Sequence, residues 1–156
     1  MKYLWTLCVL TACVIASAAQ TQPPTTDSRL YAIGNPTLTD IWVDPVNGND
    51  SNSGATRAQA LRTVQVAWGR TPRGATFTTT GYRIMLAPGT YPAANFPGYV
   101  EWRWGTAQFP TIIQAADGRN TVTVTTSLDV YDCRYLYLLD VNFTPDPPGF
   151  AVHLGN

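Results

Sequence analysis

Hydrophobic and polar residues alternate with two different periods along this chain. Between residues 58 and 68 the sequence reads AQALRTVQVAW, and Ala60, Leu61, Val64, Ala67 and Trp68 fall on one face of a helix. This predicts one amphipathic helix of about three turns. Thr56 and Gln59 have the spacing of a capping box, and Gly69 with Pro72 ends the helix. Elsewhere the period is that of strands. Ile41-Trp42-Val43 precedes the helix; Tyr82–Leu86, Thr111–Ala115, Thr121–Thr126 and Leu136–Phe143 follow it, the last with a kink at Leu139-Asp140. A further strand begins at Phe150. Ala87-Pro88-Gly89-Thr90-Tyr91 is a Pro-Gly turn, with proline presetting φ and glycine supplying positive φ. Short β-branched runs separated by turns roughly every ten to fifteen residues predict a sandwich, a barrel or a β-solenoid.

The first strand runs into WVDPVNGNDSNSG, residues 42–54. Asp44, Asn47, Asn49, Asp50 and Asn52 are oxygen donors of the kind calcium takes. An EF-hand alignment through Gly54 puts Ala60 where the closing glutamate belongs, and a phosphate loop would need a lysine that is absent. The stretch therefore reads as a turn between strand and helix, with an irregular calcium site as the alternative.

Composition changes the picture at the N-terminus. The chain has 156 residues, is 45% apolar and 13% charged, and carries zero formal net charge. Lys2 is its one lysine and the arginines are scattered, so nothing in the charge pattern attracts nucleic acid or an anionic membrane. Lys2, an apolar run from Tyr3 to Ile15 and the small residues Ala16–Ala19 form a secretory signal peptide over 1–19, too short for a membrane span. Leu10-Thr11-Ala12-Cys13 offers the alternative of a lipoprotein box anchored at Cys13. Residues 20–39, rich in Thr and Pro, read as an irregular lead-in. After cleavage Cys133 stands alone, as a buried thiol or the partner of a cysteine elsewhere.

The order WVDPVNGNDSNSG, ALRTVQVAW, YRIMLAPGTY, GTAQFPTIIQAADG, DCRYLYLLDVNF resembles the opening of the pectate-lyase-like superfamily over Ile41–Asn156. The resemblance implies a mainly β fold, a right-handed parallel β-helix, whose amphipathic helix caps the first coil. Ala60, Leu61, Val64 and Trp68 would lie on that coil, and Ile113, Val122, Val124, Leu136, Leu138, Val141 and Phe143 would point into the stack. About two coils are expected, as the N-terminal part (40–156) of a longer solenoid. The implied function is that of a secreted polysaccharide-active protein, a uronan lyase acting by β-elimination in its full-length form. The alternative is a non-catalytic adhesin or glycan-binding module. The implied partner is an acidic polysaccharide, and calcium is the cofactor the resemblance admits for the full-length protein.

No residue matches a family catalytic motif. Asp129, Asp132 and Asp140 are the carboxylates of the strand region, with Arg119 and Arg134 as candidate bases. His153, the single histidine, reads as a strand residue facing solvent or a neighbouring coil. Tyr99, Trp102, Trp104 and Phe109 cluster around Glu101 and Arg103. Aromatic faces stack on sugar rings, so Trp102 and Trp104 are the candidate carbohydrate-binding residues; cover for the first coils is the other reading.

Overall fold

Apolar residues at period two line one face of the strands, and here those faces stack in parallel rows. The computed structural model describes residues 33–155; the expected signal peptide, Cys13 and the first part of the lead-in lie outside them. The elements are β1 (Leu38–Val43), α1 (Val64–Gly69), β2 (Gly81–Leu86), β3 (Gly89–Tyr91), β4 (Tyr99–Glu101), β5 (Thr111–Ala115), β6 (Val122–Val124), β7 (Leu128–Tyr131), β8 (Leu136–Leu139), β9 (Val141–Phe143) and β10 (Val152–Gly155). They form three sheets, ordered β1-β2-β5-β8, β3-β6-β9 and β4-β7-β10, and every pairing is parallel. Successive triplets β2-β3-β4, β5-β6-β7 and β8-β9-β10 are the coils of a parallel β-helix. Three coils plus β1 stand where about two were expected, because three-residue strands such as β3 and β4 are too short to register as periodic runs.

Register makes the core. Ile41, Ile84, Ile113 and Leu138 occupy one row across the first sheet, and Val43, Leu86 and Ala115 the next. Tyr91, Val124 and Phe143 form a row in the second sheet, and Val100, Val130 and Leu154 in the third. Side chains of the inner coils are buried, each contributing about 1.5–3 kcal/mol for a Val or Ile. Of the residues expected to point into the stack, Ile113, Val122 and Val124 are buried. Leu136, Leu138, Val141 and Phe143, on the last coil, pack on the core but stay half-buried.

Two boundaries differ from expectation. β1 begins at Leu38, inside the predicted lead-in, because Leu38–Asp40 extend the parallel ladder against Gly81–Arg83. The single three-turn helix is instead a 3-10 turn at Arg57–Gln59, an extended Ala60-Leu61 and the short α1. Leu61 makes a parallel bridge to Val43: its N–H donates to the Trp42 carbonyl at 2.9 Å and its carbonyl accepts the Asp44 N–H at 2.8 Å. That strand-like pairing outcompetes the helix at Leu61. The Thr56 side chain makes no capping bond; Thr63 caps α1, its Oγ1 accepting the Val66 N–H at 3.3 Å. Ala60, Leu61, Val64 and Trp68 nevertheless all lie buried against the first coil, as expected.

The Asn/Asp/Gly stretch folds as a turn. Asp44 Oδ1 accepts the N–H groups of Val46 and Asn47, both at 2.9 Å. Burial pushes the Asp44 carboxyl up, but the hydrogen bonds from Asn47 and Val46 outweigh it and hold the group below the usual carboxylate range. A Cβ on Gly48 would lie 2.1 Å from the Leu61 carbonyl oxygen, so only glycine lets this turn close on the Leu61 bridge.

Candidate functional site

A parallel solenoid repeats its corners as well as its strands. Parallel bridges Thr76–Trp104–Arg134 align three layers after the third sheet. Two residues earlier in each layer stand Gly74 (φ +69°), Trp102 (φ +51°) and Asp132 (φ +41°), all in the left-handed region. Glycine adopts this corner freely and Asp tolerates it, but a bulky indole there is an outlier that costs about 1–2 kcal/mol. The Gly74 N–H donates to the Trp102 carbonyl at 2.9 Å, and the Trp102 N–H to the Tyr131 carbonyl at 3.3 Å.

Arginines and carboxylates order this corner. The Arg73 guanidinium sits 4.3 Å from the centre of the Trp102 ring and pairs with Glu101. Glu101 Oε2 also accepts the Tyr99 hydroxyl at 3.0 Å. Burial and that hydrogen bond both push the Tyr99 phenol up. One residue-pair along, Arg134 lies 4.8 Å from the Trp104 ring centre, and the Trp104 indole N–H donates to Asp132 Oδ2 at 3.0 Å. Arg103 alternates inward: its guanidinium bonds Thr71 Oγ1 at 2.6 Å, the Glu101 carbonyl at 2.8 Å and the Trp68 carbonyl at 3.1 Å, and lies 4.9 Å from the Trp68 ring centre. It ties the corner to the capping helix.

Trp102 is 39% exposed, and Tyr99, Tyr131 and Tyr135 flank it as exposed aromatics. Tyr131 pairs in register with Glu101, and Tyr135 follows Arg134 on the next layer at φ +51°. The two tryptophans singled out from the sequence therefore share one corner but differ in access: Trp102 faces out, while Trp104 is half-buried. Phe109 is half-buried in the following turn, where its N–H bonds Thr106. Sequence reasoning missed Arg73, Tyr131 and Tyr135, which lie far from the tryptophans along the chain. Their signal would have been the alignment of corners, which requires the coil register.

The remaining candidates separate. Asp129 lies 3.4 Å from His153, both exposed on neighbouring strands β7 and β10. Asp132 serves Trp104, and Asp140 pairs with Arg119 at 3.4 Å. No group of three or more His, Cys, Asp or Glu side chains able to hold a metal exists among the described residues. Cys133, half-buried beside this corner, is a free thiol whose pKa burial pushes up, which keeps it protonated rather than nucleophilic.

The fold and this corner define a parallel β-solenoid with an outward aromatic ridge braced by arginine. Compared with known proteins, the chain matches no family model, no curated protein and no solved structure.

Proposed function

We propose that this chain is a polysaccharide-binding parallel β-helix of a secreted protein, with the exposed ridge of Tyr99, Trp102, Tyr131 and Tyr135, and the half-buried Trp104 beside it, as its glycan contact. The observation that carries the reading is Trp102. An indole at a left-handed corner, exposed to solvent, contributes little to the core and costs backbone strain. Such strain gathers where a side chain is presented for binding. Sugar rings stack on aromatic faces, and Arg73 and Arg134, each more than half exposed although paired with Glu101 and Asp132, place positive charge beside the ridge for a uronate carboxylate. The preferred ligand is therefore an acidic polysaccharide.

Affinity electrophoresis in gels containing polygalacturonate, alginate or a neutral glucan tests this. Retardation by an acidic glycan, lost by about tenfold in affinity on Trp102→Ala, is the expected result. Equal mobility in every gel overturns it. Uronan lyase activity of the whole protein, which the resemblance implies, is measured separately as ultraviolet absorbance of unsaturated uronides.

A further inference from the structure

The turn after β1 requires a chemically labile pair. Asn47-Gly48 is the one Asn-Gly sequence in the chain. Glycine is needed at 48 because a Cβ there would lie 2.1 Å from the Leu61 carbonyl oxygen and 2.4 Å from that of Asp44. Asparagine at 47 serves the neighbouring carboxylate: its Nδ2 donates to Asp44 Oδ2 at 3.2 Å and its backbone N–H to Asp44 Oδ1 at 2.9 Å. A glycine nitrogen, with no Cβ to shield it, is the backbone nitrogen best able to attack the side chain of a preceding asparagine. Asn47 is exposed, so water reaches it and ammonia can leave. Gly48 is buried, and its N–H donates to the Asp44 carbonyl at 3.0 Å. Asp44 thus holds both reacting groups.

We propose that Asn47 is a deamidation site guarded by the closed turn, and that its conversion loosens the cap on the first coil. Attack requires the Gly48 nitrogen to leave the Asp44 carbonyl and the Asn47 amide to swing off Asp44 Oδ2, so it waits for local opening. The nitrogen then gives its proton to solvent and bonds Asn47 Cγ; the Cγ–Nδ2 bond breaks and ammonia departs. Water opens the resulting succinimide at either carbonyl and leaves aspartate or isoaspartate. Water is consumed and ammonia released, with no oxidant or reductant needed. Both products replace the amide donor with a carboxylate against Asp44, where like charges repel. Isoaspartate also routes the main chain through its Cβ just before Gly48, which has no room to shift toward Leu61. The same turn carries the Asp44 N–H to the Leu61 carbonyl at 2.8 Å and the Asn49 N–H to the Ala60 carbonyl at 3.0 Å. Damage at Asn47 therefore reaches the Leu61 bridge and the segment that leads into α1.

Peptide mapping of the full-length protein held in mildly alkaline buffer tests the proposal. Conversion at Asn47 should run at least about tenfold slower in the folded protein than in urea, since only opening frees the pair. Asp44→Ala should speed conversion in the folded protein. The converted form, separated by its added charge, should melt at least about 2 °C below the unconverted one. Should Asp44→Ala fail to fold, the comparison of folded protein with urea decides the guard, and melting of the converted form decides the consequence. Four results overturn the proposal: equal rates with and without urea, an Asn47 that stays intact in urea, a folded Asp44→Ala protein that converts no faster, or a converted form that melts unchanged.

Discussion

Asp50 and Thr63 hold the capping segment to the turn that precedes it. Asp50 Oδ1 accepts the N–H groups of Arg62 and Thr63, both at 2.9 Å, and Oδ2 accepts the Thr63 hydroxyl at 3.1 Å. Thr63 in turn caps α1. One carboxylate thus fixes both the extended Leu61 segment and the start of the helix over the first coil. Asp50→Ala should destabilise the fold by about 1–3 kcal/mol, because it strands two backbone donors. Asp50→Asn, which keeps an acceptor oxygen, should cost less. Urea unfolding of both variants checks the order.

The row through Ile113 predicts a second graded effect. Ile113 is fully buried between Ile84 and Leu138. Ile113→Ala should cost about 2–5 kcal/mol, and Ile113→Val about 0.5–1.5 kcal/mol, in the same unfolding measurement.

Trp102→Asn separates stability from binding. Asparagine tolerates the left-handed corner at φ +51°, so the strain is relieved while the Arg73 stacking is lost. Stability should stay level or rise by up to about 1 kcal/mol, and acidic-glycan affinity should fall about tenfold. Calorimetric Tm and affinity electrophoresis on the same preparation read both.

Acid should weaken the fold through Asp44 and Asp117. The hydrogen bond from Arg57 holds Asp117 below the ordinary aspartate value of 3.8, and the turn N–H groups hold Asp44 below it against burial. Both folded values are depressed. Their contribution is therefore full above the ordinary value and is lost as the pH falls through the folded values. Asp117→Asn should flatten the fall of Tm with pH below 3.8.

Alkali acts through Tyr91. Its ring is fully buried and its hydroxyl donates to the Ala87 carbonyl at 2.8 Å. Burial pushes its phenol well above the ordinary value of 10.0. The protonated form is favoured in the fold, so stability is full below that value and declines as the pH rises above it toward the folded one. Tyrosinate absorbance should show one phenol ionising only as the protein unfolds, and Tyr91→Phe should remove that step.

Much of the architecture was legible because strand alternation and turn chemistry are local. The TVTVTT run, the Leu139-Asp140 kink and the PGTY turn appear as β6, as the break between β8 and β9 with Asp140 at φ +59°, and as the entry to β3 through Gly89. The helix was legible only in its apolar face. Leu61 satisfies that pattern from an extended backbone, because the edge of β1 offers it a parallel partner that no local propensity reveals.

The sequence by itself determined which residues are apolar enough to be buried, where turns must fall and that Trp102 and Trp104 stand together. Tertiary structure decided the rest through register. Stacking coil on coil put Arg73 over Trp102, Arg134 over Trp104 and Tyr131 beside Glu101. It turned Trp102 outward, left Trp104 half-buried and drew Arg103 in. These contacts join separate coils, and a one-residue slip in pairing would reverse every face. Position along the chain specifies the residues of the ridge; only the parallel register brings them into one surface.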